Sequence, residues 1–411
     1  MNSKRTTDHI IAAIDVGTTK ICTLIAHQRS DGNLEIIGIG KAPSSGLARG
    51  VVVDIAPAIA SIKASLEEAQ LMASCTIEAV VIGISGSHIQ AHQSQGIVAL
   101  KGRQIRQSDI LNVVSAAKAI PLAQGQQILH VLPQFFIIDG QQRVRDPLGM
   151  HGVRLEAQVH IITGSIASVQ NLVHCCEMAG VKVSDIILEP LASADAVLSY
   201  DERELGVALL DIGGGTSDFA VYQHNALYHT RIFPLAGNLF THDIAVCLHT
   251  TLKDAERIKK EYGHTLFSSM QADEVLEIEM VQGNTLHTIY RSDLIAVLQA
   301  RAQELISFVK QECDQYHLKT IAQSGLVLTG GGSLLQGLSE LTSAYLQIPV
   351  RIGKPQVPFT FHETLENPLY ATGYGLLVQA HKKSTNKMEH IEGPMVNRIF
   401  WRMKSWVLDF F

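Results

Sequence analysis

The sequence predicts a duplicated, two-lobed α/β fold with a small inserted α+β subdomain and a C-terminal amphipathic helix. Three observations lead there. The segments "IAAIDVGTTKICTLIA" (11–26) and "VALLDIGGGTSDFAVY" (207–222) share one order of parts: apolar strand, Asp, aliphatic, Gly, small polar turn, second strand. Between residues 86 and 162 the texture changes to long strands around one helix. The end of the chain, "GPMVNRIFWRMKSWVLDFF" (393–411), crowds aromatic, aliphatic and basic residues as no other stretch does. Two copies of one supersecondary unit indicate two lobes with a cleft between them, because a solenoid would need several copies at a short fixed period.

Taken in order, the first lobe core spans 1–85. It holds a strand–turn–strand meander, a third strand from Glu35 to Ile39, a helix from Pro57 to Met72, and the strand "AVVIGIS" at 79–85. In that helix Ile59, Ile62, Leu66 and Ala69 recur at helical spacing. The insert occupies 86–162, with strands at "GIVAL", "ILHVLPQFFIID" and "RLEAQVHIITG" and a helix opened by Ser108-Asp109. The remainder of the first lobe (163–204) adds a helix stopped by Gly180, then a strand and a helix in "VSDIILEPLASADAVLSY". The second lobe core begins at 205–230, an outer subdomain fills 231–315 with a long helix from Ser292 to about Gln315, and 316–380 returns to the core through "LTGGGSLLQGL" and a closing helix. Residues 381–393, polar and aperiodic, read as a flexible linker to a helix over 394–411.

Composition narrows the function. A chain of 411 residues exceeds one core at roughly 100–200 residues per domain. A net charge of -6 argues against bulk electrostatic binding of nucleic acid, so any polyanion or membrane contact is local. The six cysteines form no CxxC pair and share no zinc-like spacing with histidine, which favours reduced thiols in a cytosolic setting. The polar start "MNSKRTTDHI" lacks a cleavable apolar region and no stretch reaches the length of a spanning helix, so the chain is expected to be neither secreted nor transmembrane.

The repeated turns carry the chemistry. A strand running into Asp211 and then Gly213, Gly214, Gly215 and Thr216 offers backbone N–H groups without Cβ obstruction, suited to wrapping anionic oxygens. Asp211 and Asp218 supply carboxylates for a hydrated magnesium ion. In the first copy Asp15, Gly17, Thr18 and Thr19 form a shorter turn, and Lys20 is a cation within reach of a β- or γ-phosphate. One such turn alone is more often a plain strand connection; two of matching design point to a phosphate site. No GxxxxGK[ST] is present, "GIGKAPSSG" fails GxGxxG, and "GISGS" misses the spacing of a nucleophile elbow.

These segments resemble the phosphate, connecting and adenosine motifs of the actin, Hsp70 and sugar kinase superfamily: the turn at Asp15, "EPLASADA", "DIGGGTSD" and "LTGGGSLLQGL" occur in family order between residues 11 and 380. The resemblance implies ATP with Mg2+ in the cleft. Asp15 and Asp211 would hold the metal, and Thr18, Thr19, Gly214, Gly215 and Thr216 the phosphates. Gly330, Gly331 and Gly332 would lie on the adenosine side, and Glu256 and Lys259 beside the ribose and base. Glu189 matches the residue that polarises attacking water, with Asp211 the second catalytic candidate. The plain alternatives are a helix cap for Glu189 and a solvated i,i+4 pair for Glu256 with Lys260. Within the superfamily, "DPLGMHGVRLE" (146–156) resembles the 1C subdomain of FtsA, the actin-like bacterial cell-division family, and "FPLAGNLFTHDIA" (233–245) its second-lobe segment; Ala236 departs from the double glycine of the wider superfamily. Retention and turnover of ATP need the same residues, so ATPase activity stays open. A pilus-assembly relative or a small-molecule kinase of the same superfamily is the alternative.

On a helix from Pro394, Val396, Ile399, Phe400, Met403, Trp406, Val407, Phe410 and Phe411 share one broad face, opposite Arg398, Arg402, Ser405 and Asp409. Such a helix is expected to lie in a membrane interface, with its cations near anionic lipids, although a buried packing helix would show a similar face. Resemblance to FtsA then implies a peripheral protein on the cytoplasmic side of the inner membrane at the septum. It would polymerise with itself, bind the FtsZ tail on its second lobe, where Arg291 and Arg301 lie on the long helix, and meet later division proteins through the insert.

Overall fold

The computed structural model describes residues 9–29, 33–141, 143–267, 273–281, 286–357 and 362–388. Two five-stranded sheets follow one plan. In the first, the strands run Lys182–Leu188, Ala79–Ile84, His9–Val16, Lys20–Gln28, Leu34–Pro43 across the sheet. In the second they run Val350–Ile352, Leu326–Thr329, Val207–Ile212, Ser217–Gln223, Ala226–Phe233. In each, the first three strands are parallel and the last two join by antiparallel pairing. The central strands end in Asp15 and Asp211, whose cross-strand partners Cys22 and Asp218 stand at equivalent positions. Both central strands are buried along most of their length, as near-continuous apolar runs covered on two faces should be.

The helix Ile55–Ala73 covers the first sheet with Ile62, Leu66 and Ala69, the stripe its periodicity predicts. The insert is a four-stranded antiparallel sheet, ordered Gln90–Gln104, His151–Ser165, Gln126–Ile138, Arg143–Val144. Helix Gln107–Ala117 buries Ile110 and Val113 into a separate core around Phe136 and Leu155. Helices Gly237–Cys247, Leu252–Tyr262 and Arg291–Gln315, with the hairpin Val275–Glu279/Leu286–Tyr290, build the outer part of the second lobe.

Two helices bind the lobes together. Glu189–Val197 and Ala371–Met388 cross so closely that a Cβ on Gly375 would strike the Ala192 carbonyl, so only glycine allows the approach. The second of these corrects the sequence reading. Residues 381–388, predicted as linker, continue the helix to Met388. The reason is tertiary: Lys382 Nζ lies 2.9 Å from Asp195, and Lys383 pairs with Asp185, so the lysines that looked like a solvated run dock the helix instead.

Candidate functional site

The two turns meet tip to tip at the mouth of a cavity of about 570 Å³ between the lobes. Both close the same way: Gly17 N–H donates to the Lys20 carbonyl at 3.1 Å, and Gly213 N–H to the Thr216 carbonyl at 2.9 Å. Every cleft residue expected from the sequence lines this cavity: Asp15, Gly17, Thr18, Thr19, Lys20, Glu189, Asp211, Gly213, Gly214, Gly215, Thr216, Asp218, Glu256, Lys259 and Gly330 to Gly332. The glycines are there for approach. A Cβ on Gly214 would sit 2.7 Å from Thr19 Oγ1, and one on Gly215 2.9 Å from Thr18 Cβ, so each lobe fills the space the other leaves. Gly330 adopts φ +77° against Asp211, a left-handed conformation that favours glycine.

Four of the cavity's carboxyl groups, Asp15, Glu189, Asp211 and Asp218, cluster at the turns, and of the lysines that line the cavity Lys20 is the one that acts on them. Burial pushes Asp15 up to about 6, against the opposing pull of Lys20 at 3.9 Å. Burial, reinforced by Asp211, takes Asp218 to about 8. Glu189 rises well above its ordinary range, first through burial and then through Asp218, Asp15 and Asp211. Burial also raises Asp211, opposed by the hydroxyls of Ser193 and Thr372, which both donate to its Oδ2, the latter at 3.0 Å. Ser85 Oγ donates to Asp218 Oδ1 at 2.5 Å. A cluster of buried acids this short of positive charge is chemically suited to a divalent cation. Among the described residues no group of three His, Cys, Asp or Glu side chains could by itself hold a metal ion.

Lys20 does not point at the turn it closes. Its ammonium donates to the Leu369 carbonyl and lies 4.8 Å over the Tyr370 ring, so reaching a phosphate requires it to leave those partners. On the far side, Glu256 and Lys259 pair at 2.6 Å, and Lys259 Nζ also reaches the Gly237 carbonyl at 3.1 Å and Thr241 Oγ1 at 2.8 Å. Burial acts to raise Glu256, but the hydrogen bonds from Lys259 and Thr241 outweigh it and keep the carboxyl low. The solvated pair of Glu256 with Lys260 also forms, at 3.0 Å. Close approach to the second turn falls to Gly237 and Asn238, whose N–H groups donate to the Gly213 and Gly214 carbonyls at 3.0 and 2.8 Å; Ala236 only caps that helix.

Sequence reasoning missed Ser85, Ser193, Thr372, Asn238 and Thr241. The first three orient carboxylates from elements far off in the chain, a role no local pattern announces; Ser193 lies inside the quoted connecting segment and Thr372 inside the closing helix. Both arginines singled out for an acidic peptide have internal partners. Arg291 donates to the Tyr262 carbonyl at 2.9 Å and reaches Glu274 at 3.3 Å, and Arg301 grips both oxygens of Asp243 and also Glu304. The membrane-facing set Ile399, Phe400, Met403, Trp406, Val407 and Phe410 lies outside the described residues. Among the described residues no helix is long and apolar enough to cross a membrane.

Comparison with known proteins agrees with this geometry. Residues 208–375 match the family model described as "Cell division protein FtsA", and residues 86–163 match "SHS2 domain inserted in FTSA". The chain is 40% identical over 405 residues to the cell division protein FtsA of Pseudomonas aeruginosa, covering 97% of each. Among solved structures, the "PilM-PilN type IV pilus biogenesis complex" superposes with a TM-score of 0.67 at 18% identity, over 90% of this chain and 98% of that one. MreB5 of Spiroplasma citri bound to ADP does so with 0.57 at 14%, over 92% and 99%. At those identities the likeness is one of fold: two lobes of the actin type.

Proposed function

Because the chain belongs to the FtsA cell-division family, we propose that it is an ATP-binding, actin-like adaptor that tethers the FtsZ ring to the cytoplasmic face of the inner membrane. The observation that carries the reading is the interlocked pair of turns around four buried carboxyl groups. Bound there with ATP, Mg2+ would supply the positive charge that the four acids lack, and the turns would receive the phosphates. Asp15 and Asp211 hold the hydrated cation; the amides of Gly214, Gly215 and Thr216 and the hydroxyls of Thr18 and Thr19 receive phosphate oxygens; Gly330 to Gly332, Glu256 and Lys259 flank the nucleoside. Glu189, whose carboxyl is raised well above its ordinary range by burial, would be the group that positions water. Protofilaments of this fold would present the insert to later division proteins and the second lobe to the FtsZ tail. Titration with ATP and magnesium tests the cleft, and the absence of any binding heat or competition would overturn it.

The tail completes the tether. An interfacial helix over 394–411 must tolerate charge on its polar face and reject it on its apolar face, since only the second has to leave water. Trp406→Glu is therefore expected to abolish flotation with anionic vesicles, and Ser405→Glu to weaken it modestly. Equal effects, or undiminished flotation after removal of residues 394–411, would assign the tail to packing or oligomerisation.

A further inference from the structure

The insert does more in the structure than project from the first lobe: one of its strands holds both lobes at once. His130, on strand Gln126–Ile138, accepts a hydrogen bond from the Leu188 N–H of the first sheet at 3.0 Å. Leu188 is the residue before Glu189 of the cleft. Four positions on, the side-chain amide of Gln134 donates to the Leu227 and Tyr228 carbonyls of the second lobe, each at 2.9 Å. Those carbonyls belong to Ala226–Phe233, the edge strand of the second sheet.

Both ends of this contact are β-bulges. Gln158 pairs with Phe135 and Val159 with Pro133, which leaves Gln134 as the extra residue of its strand. Val221 pairs with His229 and Tyr222 with Leu227, which leaves Tyr228 as the extra residue of the other. A bulge frees one residue from the ladder and re-aims it. Here the freed amide meets the freed carbonyl, with Gln134 buried. Gln93 Nε2 adds a second donor to the Tyr228 carbonyl at 3.1 Å. His160 stands in the same seam, 1% exposed, its pKa lowered to about 3 by burial and then by His229 and His92.

We propose that this strand is an interlobe staple: it ties the position of the insert to the angle between the lobes, so that opening the cleft must break the Gln134 contact or drag the insert with it. Coupling of this kind is reciprocal. A partner that moves the insert changes the cleft, and cleft occupancy changes how the insert is presented. The consequence for nucleotide exchange rests on the ATP-cleft reading above; the mechanical tie does not.

The experiment uses the full chain with Gln134→Met, which removes the donors, and Gln134→Glu, which also sets a carboxylate against two carbonyls. Gln104→Glu is the control, because Gln104 bonds the Gly149 carbonyl within the insert. Without any nucleotide, the amide of Leu188 and those of residues 226–230 are expected to exchange hydrogen about tenfold faster in both Gln134 variants, and not in the control. A fluorescent ATP analogue is expected to dissociate about threefold or more faster from the same variants and not from the control. Unchanged protection at Leu188 and 226–230 in both variants, or equal loss in the control, would overturn the staple. If the wild-type chain holds no nucleotide, the cleft reading fails while hydrogen exchange still decides the staple.

Discussion

The two phosphate turns share one backbone and differ in what they add to it. Counted from the aspartate, Gly17 and Gly213 are equivalent, but Thr18 and Thr19 stand where the second turn has Gly214 and Gly215, Lys20 where it has Thr216, and Cys22 where it has Asp218. The first turn supplies side chains and a cation; the second supplies bare backbone and a second acid. The threonines answer the opposite lobe, since they occupy the space that the missing Cβ atoms of Gly214 and Gly215 leave. Duplication followed by complementary divergence gives a site that neither half can form alone.

The largest expected effect comes from abolishing that complementarity. Gly214→Val places carbon where Thr19 already lies and wedges the turns apart, while Asp211→Ala removes the carboxylate that Ser193 and Thr372 aim. Each should weaken ATP binding in the presence of magnesium by at least ~100-fold, about 2.8 kcal/mol, with the fold retained. Calorimetric affinity equal to wild type would show that the turns are connections only.

The acids should separate the turns by pH. Asp15 is raised to about 6 and Asp218 to about 8, in each case first by burial. The folded protein therefore keeps protons that the unfolded chain releases near pH 4. Their stabilising contribution is full below pH 4 and is lost as pH rises through 6 for the first turn and through 8 for the second. Asp218→Asn removes the penalty on the second turn alone. It should raise the nucleotide-free stability at pH 8 by on the order of 1–3 kcal/mol, with the gain vanishing toward pH 4, while Mg2+-dependent ATP binding weakens. Denaturant titrations at three pH values measure this; a gain that does not depend on pH would mean Asp218 is already ionised in the folded cleft.

Much of this was legible in the sequence because the turns are local: a strand, an Asp and a glycine run within a few residues of each other specify their own geometry. The duplicated architecture followed from the echo between 11–26 and 207–222. What was not legible depends on contacts between distant segments. Lys382 and Lys383 read as solvated linker because their partners Asp195 and Asp185 lie about two hundred residues away in the chain. Lys20 lines the cavity as expected, but nothing near it in sequence reveals that its ammonium donates to the Leu369 carbonyl. Arg301 read as available until the helix carrying Asp243 was packed beside it.

A smaller effect asks how tightly the second turn's aspartate is aimed. Thr372→Val keeps the shape of the return helix and deletes one of two donors to Asp211 Oδ2, so Mg2+-dependent affinity should fall about tenfold, the worth of one hydrogen bond to a charged acceptor. Ser193→Ala should match it, and the double variant should lose more than the product, because in each single variant the remaining hydroxyl can still orient the carboxylate. A strictly multiplicative loss would mean the two act independently.

The smallest effect sharpens the comparison from behind the turns. The first turn has its cation within it, at Lys20. The second has Lys259 one layer back, holding the Gly237 carbonyl at 3.1 Å, while Gly237 N–H in turn holds the Gly213 carbonyl. Lys260 pairs with the same Glu256, yet its side chain is 69% exposed against 14% for Lys259. An ion pair that open to water contributes ~0–1 kcal/mol and is screened by salt, so Lys260→Ala should change ATP affinity by less than about twofold. Lys259→Ala should cost several times more, because it removes the half-buried donor shared by the Gly237 carbonyl, Thr241 and the Glu256 carboxylate beside the cavity. If the two lysines proved equivalent in the same titration, the second turn would be held by its backbone alone, and the parallel with Lys20 would fail.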